Sequence, residues 1–413
     1  MMKKTMADLS VLDVLLHGDQ IGTLTLLPGD KTLFAFTESY IADSNRATLS
    51  LSFKEATTGG LITDVPPTTT KVPHFFSNLL PEGTMRDYLA ERAGVKSARE
   101  FFLLWVLGQD LPGALKIVPD DRRSLPDINE NEDELEKQER EDKMLRFSIA
   151  GVQLKFPAVN DATGGLTIPV KGVGGSWIVK LPSTKFEGVP ENEYSMMLLA
   201  REIGIDVPDI QLIETKTISG LPSGMDAVKG HTFAIKRFDR DEENSGIHIE
   251  DFAQVFGIFP EAKYQNASYR NVAEVISVEV GEKGVVEFLR RIIFNVLIGN
   301  ADMHLKNWSL IYPDRRTPAL APAYDFVSTI PYPVDGKLAL NFGKSKKMAD
   351  ISEDSIKYFA NKARLPEKLM LDTAHETVER FRTVWPKLKH DLPMHSNVTA
   401  AIEKHIETIP IAK

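Results

Sequence analysis

One stretch limits what this chain can fold into before any motif is considered: DDRRSLPDINENEDELEKQEREDKMLR, at positions 120–146. It is polar, acidic and poor in aromatic residues, so it has too little apolar surface to bury and reads as a solvated linker or an exposed helix. A chain of 413 residues divided in this way is expected to fold as separate parts on either side. Residues 1–119 are expected to form one part, with a domain boundary at 120–146.

The two sides differ in texture. Alternating apolar positions at 11–16, 22–27 and 33–36, with Pro28, Gly29 and Asp30 as turn residues, predict strands, and LSLSF at 49–53 reads as another. From Phe75 the pattern becomes helical, in FFSNLLPEGTMRDYLAERAGV and AREFFLLWVLGQD. Beyond the acidic stretch, WIVKLP predicts a strand and NEYSMMLLAREIGI a long helix, with a strand pair at 210–214 and 232–238. The remainder is mostly helical, apart from a hairpin near 308–326.

Composition removes several classes of function. The hydrophobic fraction of 42% and charged fraction of 26% are those of a soluble globular chain. With no cysteine, disulfides, thiolate zinc sites and a cysteine nucleophile are excluded, which fits a reducing compartment. No apolar run reaches the roughly 18 residues needed to cross a membrane. Asp8 and Asp13 interrupt the apolar N-terminal run, so the start reads as cytosolic rather than as a signal peptide. A net charge of −9 argues against binding nucleic acid unaided, though not against contact through a local patch or a basic partner.

The chemistry concentrates in GNADMHLKNWS, starting at Gly299. Before it, Val285, Phe288, Leu289, Ile292, Ile293, Val296 and Leu297 fall at helical spacing and present a wide apolar face. Gly299 and Asn300 are residue types that end helices in a left-handed turn. The chain thus leaves a rigid helix directly into a polar loop. WSLIY then reads as a strand, PDRR as a turn, and PALAPAYDF as the returning arm, which brings Asp325 back toward Asn307 and Asp302. Two oxygen donors beside a third carboxylate can hold magnesium next to a general base. Protein kinases use the same order: a catalytic Asp, an Asn five residues on, a hairpin, then a metal-binding Asp followed by Phe. The competing structural reading is an Asx-turn network that merely stabilises the loop.

A kinase also needs a phosphate cradle and a lysine. FSIAGVQLKF at 147–156, with Gly151, can form a backbone nest, although a strand–turn looks the same. Lys180 in WIVKLP and Lys236 in TFAIKRF both fit the lysine, and only Lys180 follows closely enough. Glu193 is a possible ion-pair partner for it, with an ordinary helix-dipole role as the alternative. The strand ending at Phe238 leads toward the connector between lobes.

These segments together resemble the HipA family, bacterial serine/threonine kinase toxins of type II toxin–antitoxin pairs. HGDQIGTLTLL, LSLSF, FFSNLLPEGTMRDYLAERAGV and GALKIVP resemble its N-terminal subdomain, and SIAGVQLK, IVKLP, NEYSMMLLAREIGIDVP, KRFDR, LIGNADMHLKN and APAYDFVST its kinase core. The resemblance implies an α+β, two-part protein kinase-like fold. A small strand-rich N-terminal subdomain (1–119) and the acidic linker (120–146) precede a kinase core, with a nucleotide-binding part (147–240) and a mainly helical C-terminal lobe carrying the catalytic loop (241–413). It implies ATP and Mg2+ as cofactors, Asp302 as the base, Asn307 and Asp325 as metal ligands, and Lys180 on the ATP phosphates. It further implies a nucleotide loop of Ala150, Gly151, Val152, Gln153, Leu154 and Lys155, and an adenine hinge of Lys236, Arg237 and Phe238. His304, Lys306 and Tyr324 match further nucleotide contacts, and Ser148 an autophosphorylated serine. Phosphate there would repel ATP. Two departures stand out: Leu154 where the family often has Glu, and Met303 where many members have Gly.

The implied partners are a HipB-like helix-turn-helix antitoxin, operator DNA through that complex, and a protein target, aminoacyl-tRNA synthetases being among the family's targets. The basic run KSKKM at 344–348 is either a DNA contact within such a complex or a solvated patch. Two other readings stay open: a small-molecule kinase of related fold, and a catalytically idle co-repressor module.

Overall fold

The computed structural model describes residues 10–120, 154–160, 165–169, 174–183, 185–221, 228–333 and 336–413. The acidic stretch beyond Asp120, with Ser148, Ala150, Gly151, Val152 and Gln153, lies outside the described residues.

The first sheet has the order β4–β3–β2–β1–β5, from β1 (Ser10–Leu16), β2 (Asp19–Leu27), β3 (Lys31–Phe36), β4 (Thr68–Thr69) and β5 (Leu115–Pro119). Its alternation is that of a sheet with one buried face: Leu12, Val14 and Leu16 turn inward. They pack with Phe34, Phe75, Phe76 and Phe101 in one core. The helical stretch after Phe75 is interrupted, giving helices His74–Ser77 and Gly83–Arg92. Pro81 stands in that gap, where proline cannot donate the bond that would continue a helix.

LSLSF is not a strand. Leu51–Phe53 forms a 3-10 turn capped by the Ser50 hydroxyl. Glu250, on β11 (His248–Asp251), accepts from the Ser50 hydroxyl at 2.5 Å and the Leu51 amide at 3.0 Å, so this backbone is satisfied without a sheet neighbour.

The second sheet, β7–β6–β8–β10–β9, comprises β6 (Lys155–Asn160), β7 (Leu166–Thr167), β8 (Trp177–Lys180), β9 (Ile210–Glu214) and β10 (His231–Lys236). Tyr88 from the helix Gly83–Arg92 joins Leu154, Phe156, Trp177 and Val179 in its small core. Phe233 and Ile235 instead share the main core with Met196 and Leu199 of the helix Val189–Glu202.

β11 pairs with β12 (Ser309–Tyr312), which pairs with β13 (Ala319–Leu320). The helix Glu282–Ile298 is buried along nearly its whole length beside helices Tyr269–Glu279, Glu353–Ala363, Glu367–Leu388 and Ser396–Ile406. A second hairpin, β14 (Lys337–Phe342) with β15 (Ser345–Lys347), interrupts a region expected to be helical. Gly343, at φ 63°, supplies its turn, and Leu338, Leu340 and Phe342 bury alternate side chains. Among the described residues no helix is long and apolar enough to cross a membrane.

The N-terminal sheet is keyed onto the rest of the molecule. Asp239 accepts from Arg237 at 2.8 Å, from Arg240 at 2.8 Å and from the Gly113 amide at 2.8 Å. Asp110 pairs with Arg240 at 3.0 Å. Lys54 meets Glu279 at 2.8 Å, and the Thr48 hydroxyl donates to the Arg316 carbonyl at 2.9 Å.

Candidate active site

The polar loop begins where the buried helix stops. Gly299 adopts φ 67°, and the Asn300 amide closes the helix end on the Asn295 carbonyl at 2.8 Å. The Asn300 side chain then organises its surroundings. Its Nδ2 donates to Asn295 Oδ1 at 2.8 Å, and its Oδ1 accepts from the Asp302 amide at 3.0 Å. Thr329 ties the loop to the segment after Asp325: its Oγ1 accepts from the Ala301 amide at 2.9 Å and donates to the Gly299 carbonyl at 3.1 Å. Asn307 Nδ2 donates to the Asp302 carbonyl at 2.9 Å, which fixes the spacing of the two residues.

The hairpin β12–β13 carries the chain back. Leu310 faces Leu320 and Ile311 faces Ala319. The Tyr324 hydroxyl then bonds Ser309 Oγ at 2.5 Å and donates to the Lys306 carbonyl at 3.0 Å, stapling the returning arm to the loop. Asp325 follows at φ 56°, a left-handed conformation that a non-glycine residue holds at a cost. Its carboxylate accepts from Lys180 on β8 and, at 3.4 Å, from Lys155 on β6. Lys180 also donates to Glu193 on the helix Val189–Glu202. One buried ammonium therefore joins the small sheet, that helix and the hairpin arm.

The electrostatics follow from this packing. Burial alone would drive the Lys180 ammonium toward neutrality, but the Asp325 and Glu193 carboxylates hold its pKa above that of an ordinary lysine. Burial works against the Asp325 charge too, and Lys155 and Lys180 overcome it, keeping that carboxyl well below the usual range. Asp302 moves the other way. Burial raises its pKa, the Tyr264 hydrogen bond and Lys263 oppose the rise, and Asp325 adds to it. Burial and Lys263 push His304 down to about 3, so its ring is neutral.

Asp302, Asn307, Asp325, Lys180 and Lys155 are therefore linked in one network. Other expected residues stand differently. Lys306 donates to the Asn78 carbonyl at 3.0 Å and pairs with Glu82 at 2.7 Å, so the N-terminal part holds it. The Leu154 side chain lies in the core of the second sheet, which explains why an apolar residue suits that position. Phe238 packs against Tyr324, with ring centroids 5.6 Å apart. Lys236 lies at the exposed end of β10, 3.8 Å from Asp209. The Arg237 guanidinium is committed to Asp239 and Asp110.

Three residues of the site have no motif to announce them. Glu82 accepts from Lys263 at 2.8 Å as well as from Lys306, and these lysines hold it down to about 2 against the upward push of burial. The Tyr264 hydroxyl donates to Asp302 Oδ1 at 2.5 Å. Only the acidic residue in LLPEG, just ahead of a helix, gave any hint of the first, and nothing marked Lys263 or Tyr264.

Among the described residues no cluster of three or more His, Cys, Asp and Glu could hold a metal ion. The oxygen donors Asn307 and Asp325 nonetheless suit magnesium, which binds through one or two protein groups and takes phosphate oxygens and water for the rest. Lys155 and Lys180 supply the positive charge that phosphates need. His304 Nδ1 is buried with no hydrogen-bond partner, a polar atom left for a ligand group to satisfy. The residues present fit a magnesium–nucleotide complex.

A buried Lys–Glu pair beside a small antiparallel sheet, facing a loop and hairpin of this kind, defines a two-part kinase-like fold of the α+β class. The comparisons with known proteins sharpen that class. Residues 12–118 match the HipA N-terminal domain, and residues 147–385 match the HipA-like C-terminal domain. The chain belongs to the HipA family. It is 55% identical over 410 residues to Y4dM of Sinorhizobium fredii, provisionally named a kinase, covering 98% of each chain. It is 25% identical over 382 residues to the serine/threonine-protein kinase toxin HipA of Shewanella oneidensis, covering 84% of each. A solved complex of Shewanella oneidensis MR-1 HipA and HipB with operator DNA contains a chain of the same fold, with TM-score 0.72 and 23% identity over 96% of both chains.

Proposed function

We propose that this protein is an ATP- and Mg2+-dependent serine/threonine protein kinase that acts in the cytoplasm as the toxin of a toxin–antitoxin pair. The observation that carries the reading is Lys180, which donates at once to Glu193 and to Asp325 while the Asn307 amide is tied to Asp302. A Lys–Glu pair beside an Asp and an Asn able to hold a divalent ion is the set of groups that phosphoryl transfer from a nucleotide uses, and this supports the reading.

In this reading Asp302 accepts the proton of the target hydroxyl. Lys180 holds the ATP phosphates, with Lys155 and the loop Ala150, Gly151, Val152, Gln153 and Leu154 beside them. Asn307 and Asp325 hold the divalent ion, which when bound offsets the charge on the transferring phosphoryl group. Lys236, Arg237 and Phe238 form the adenine hinge, where the Phe238 and Tyr324 rings offer an apolar wall and the Arg237 side chain, committed elsewhere, braces the strand end. His304 offers its unpartnered nitrogen to the nucleotide, and Lys306 fixes the loop. The parts are 1–119, a linker 120–146, a nucleotide-binding part 147–240 and a catalytic lobe 241–413.

The relative named as a kinase toxin and the fold shared with the HipA–HipB–DNA complex support a HipB-like helix-turn-helix antitoxin as partner, with operator DNA reached through it. Direct DNA contact by KSKKM draws less support, because Lys346 donates to the Ala339 carbonyl at 2.7 Å and Lys344 lies over the Tyr358 ring. The target is a host protein, an aminoacyl-tRNA synthetase being the first to examine. Autophosphorylation of Ser148 shuts the enzyme off.

The test is brief expression in cells lacking the antitoxin, followed by phosphoproteomics, with Asp302→Ala as control. Growth arrest and new phosphoserine or phosphothreonine that depend on Asp302 are expected, with Ser148 among the modified sites. Label from Mg-ATP reaching only small molecules would identify a small-molecule kinase. Absence of turnover in both proteins would leave a binding module.

A further inference from the structure

Tyr264 occupies a place that the reading of Asp302 as base reserves for something else. Its hydroxyl donates to Asp302 Oδ1 at 2.5 Å, the geometry a target hydroxyl must adopt to give up its proton. The ring stands edge-on to His304, with centroids 4.9 Å apart. Yet the residue is 40% exposed, unlike the buried aromatics of the core. Its segment is short and pinned at both ends. The Lys263 carbonyl accepts from the Leu305 amide at 3.2 Å, and Ser268 caps the next helix. Lys346 Nζ reaches the Tyr264 carbonyl at 3.3 Å from the hairpin β14–β15. The backbone around the side chain is therefore held by bonds that do not involve its hydroxyl.

We propose that Tyr264 is a placeholder in the acceptor subsite, a positioning residue that keeps the Asp302 oxygen engaged until a target serine or threonine hydroxyl replaces its own. This inference rests on Asp302 being the base. It accounts for a tyrosine at the surface spending its hydroxyl on the Asp302 carboxylate, and it gives the kinase a means of restraining ATP hydrolysis when no target is bound.

The experiment is acceptor-free hydrolysis of Mg-ATP by the full chain, comparing wild type with Tyr264→Phe, Asp302→Ala and the double variant. Tyr264→Phe keeps the ring against His304, so the fold should persist with only a small drop in melting temperature for the lost hydrogen bond. Breaking a hydrogen bond to a charged group frees the base, so Tyr264→Phe is expected to raise kcat for hydrolysis roughly tenfold or more, with KM for ATP unchanged. The double variant should be inactive. Asp302-dependent hydrolysis in Tyr264→Phe at or below the wild-type rate would overturn the placeholder while leaving the base intact. Loss of Asp302 dependence in every variant would overturn the base, and the placeholder with it. Phosphate found on Tyr264 itself in the wild type would overturn the placeholder by making the residue an acceptor.

Discussion

Lys180 keeps its charge at a site that would otherwise neutralise it, and the residues that make this possible are the ones to change. Lys180→Met should lower kcat for phosphoryl transfer by about 10²–10³-fold, the usual loss when one preorganised electrostatic donor is removed. Single-turnover assays with labelled ATP would measure it, and a drop of under threefold would contradict the role. Asp302 makes a prediction about pH. If Asp302 is the base proposed above it must be deprotonated to act, and desolvation raises this carboxyl above its ordinary value. Activity should thus fall on acidification at a higher pH than an unperturbed aspartate would give, as the acid limb of kcat/KM against pH would show. Asp302, Asn307 and Asp325 were legible because their spacing is local or closed by a short hairpin. Glu82 and Tyr264 were not, because each reaches the loop from a distant stretch and no interval ties it there.

Elements set the precision of the loop. The helix Glu282–Ile298 was legible from apolar spacing, and so was its stop at Gly299. A β-carbon at Gly299 would meet Ile330 side-chain carbons at 2.7 to 2.9 Å, in a backbone conformation that favours glycine. Gly299→Ala should therefore cost about 1–3 kcal/mol and displace the loop, seen as a lower denaturation midpoint together with reduced activity. LSLSF misled because alternation signals one buried face and says nothing about where the backbone finds its partners. Here a carboxylate from β11, some two hundred positions along the chain, satisfied the segment. The hairpin β14–β15 was missed for a related reason: its turn rests on Gly343, and its strands are short.

At the scale of the whole molecule, the same carboxylate makes stability depend on pH. Burial raises Glu250 from 4.5 to about 7, against hydrogen bonds from Ser50, Tyr312 and Leu51. Because the folded state holds this proton more tightly, the contribution is full below about pH 4.5 and is lost as pH rises through about 7, roughly 3 kcal/mol in all. Asp251, raised by burial to about 6, adds a slope in the same window. Glu250→Gln should flatten the fall in melting temperature between about pH 5 and 7 without abolishing it, and an unchanged slope would argue against this account.

Glu82 belongs to the first part of the chain and clamps Lys306 of the loop together with Lys263 beside it. A shortened clone starting after the acidic stretch would carry every recognisable kinase motif and still lack that clamp. Under the proposed function, whatever shifts the segment around Glu82 and Asn78 would therefore act on the loop through the lysines they hold.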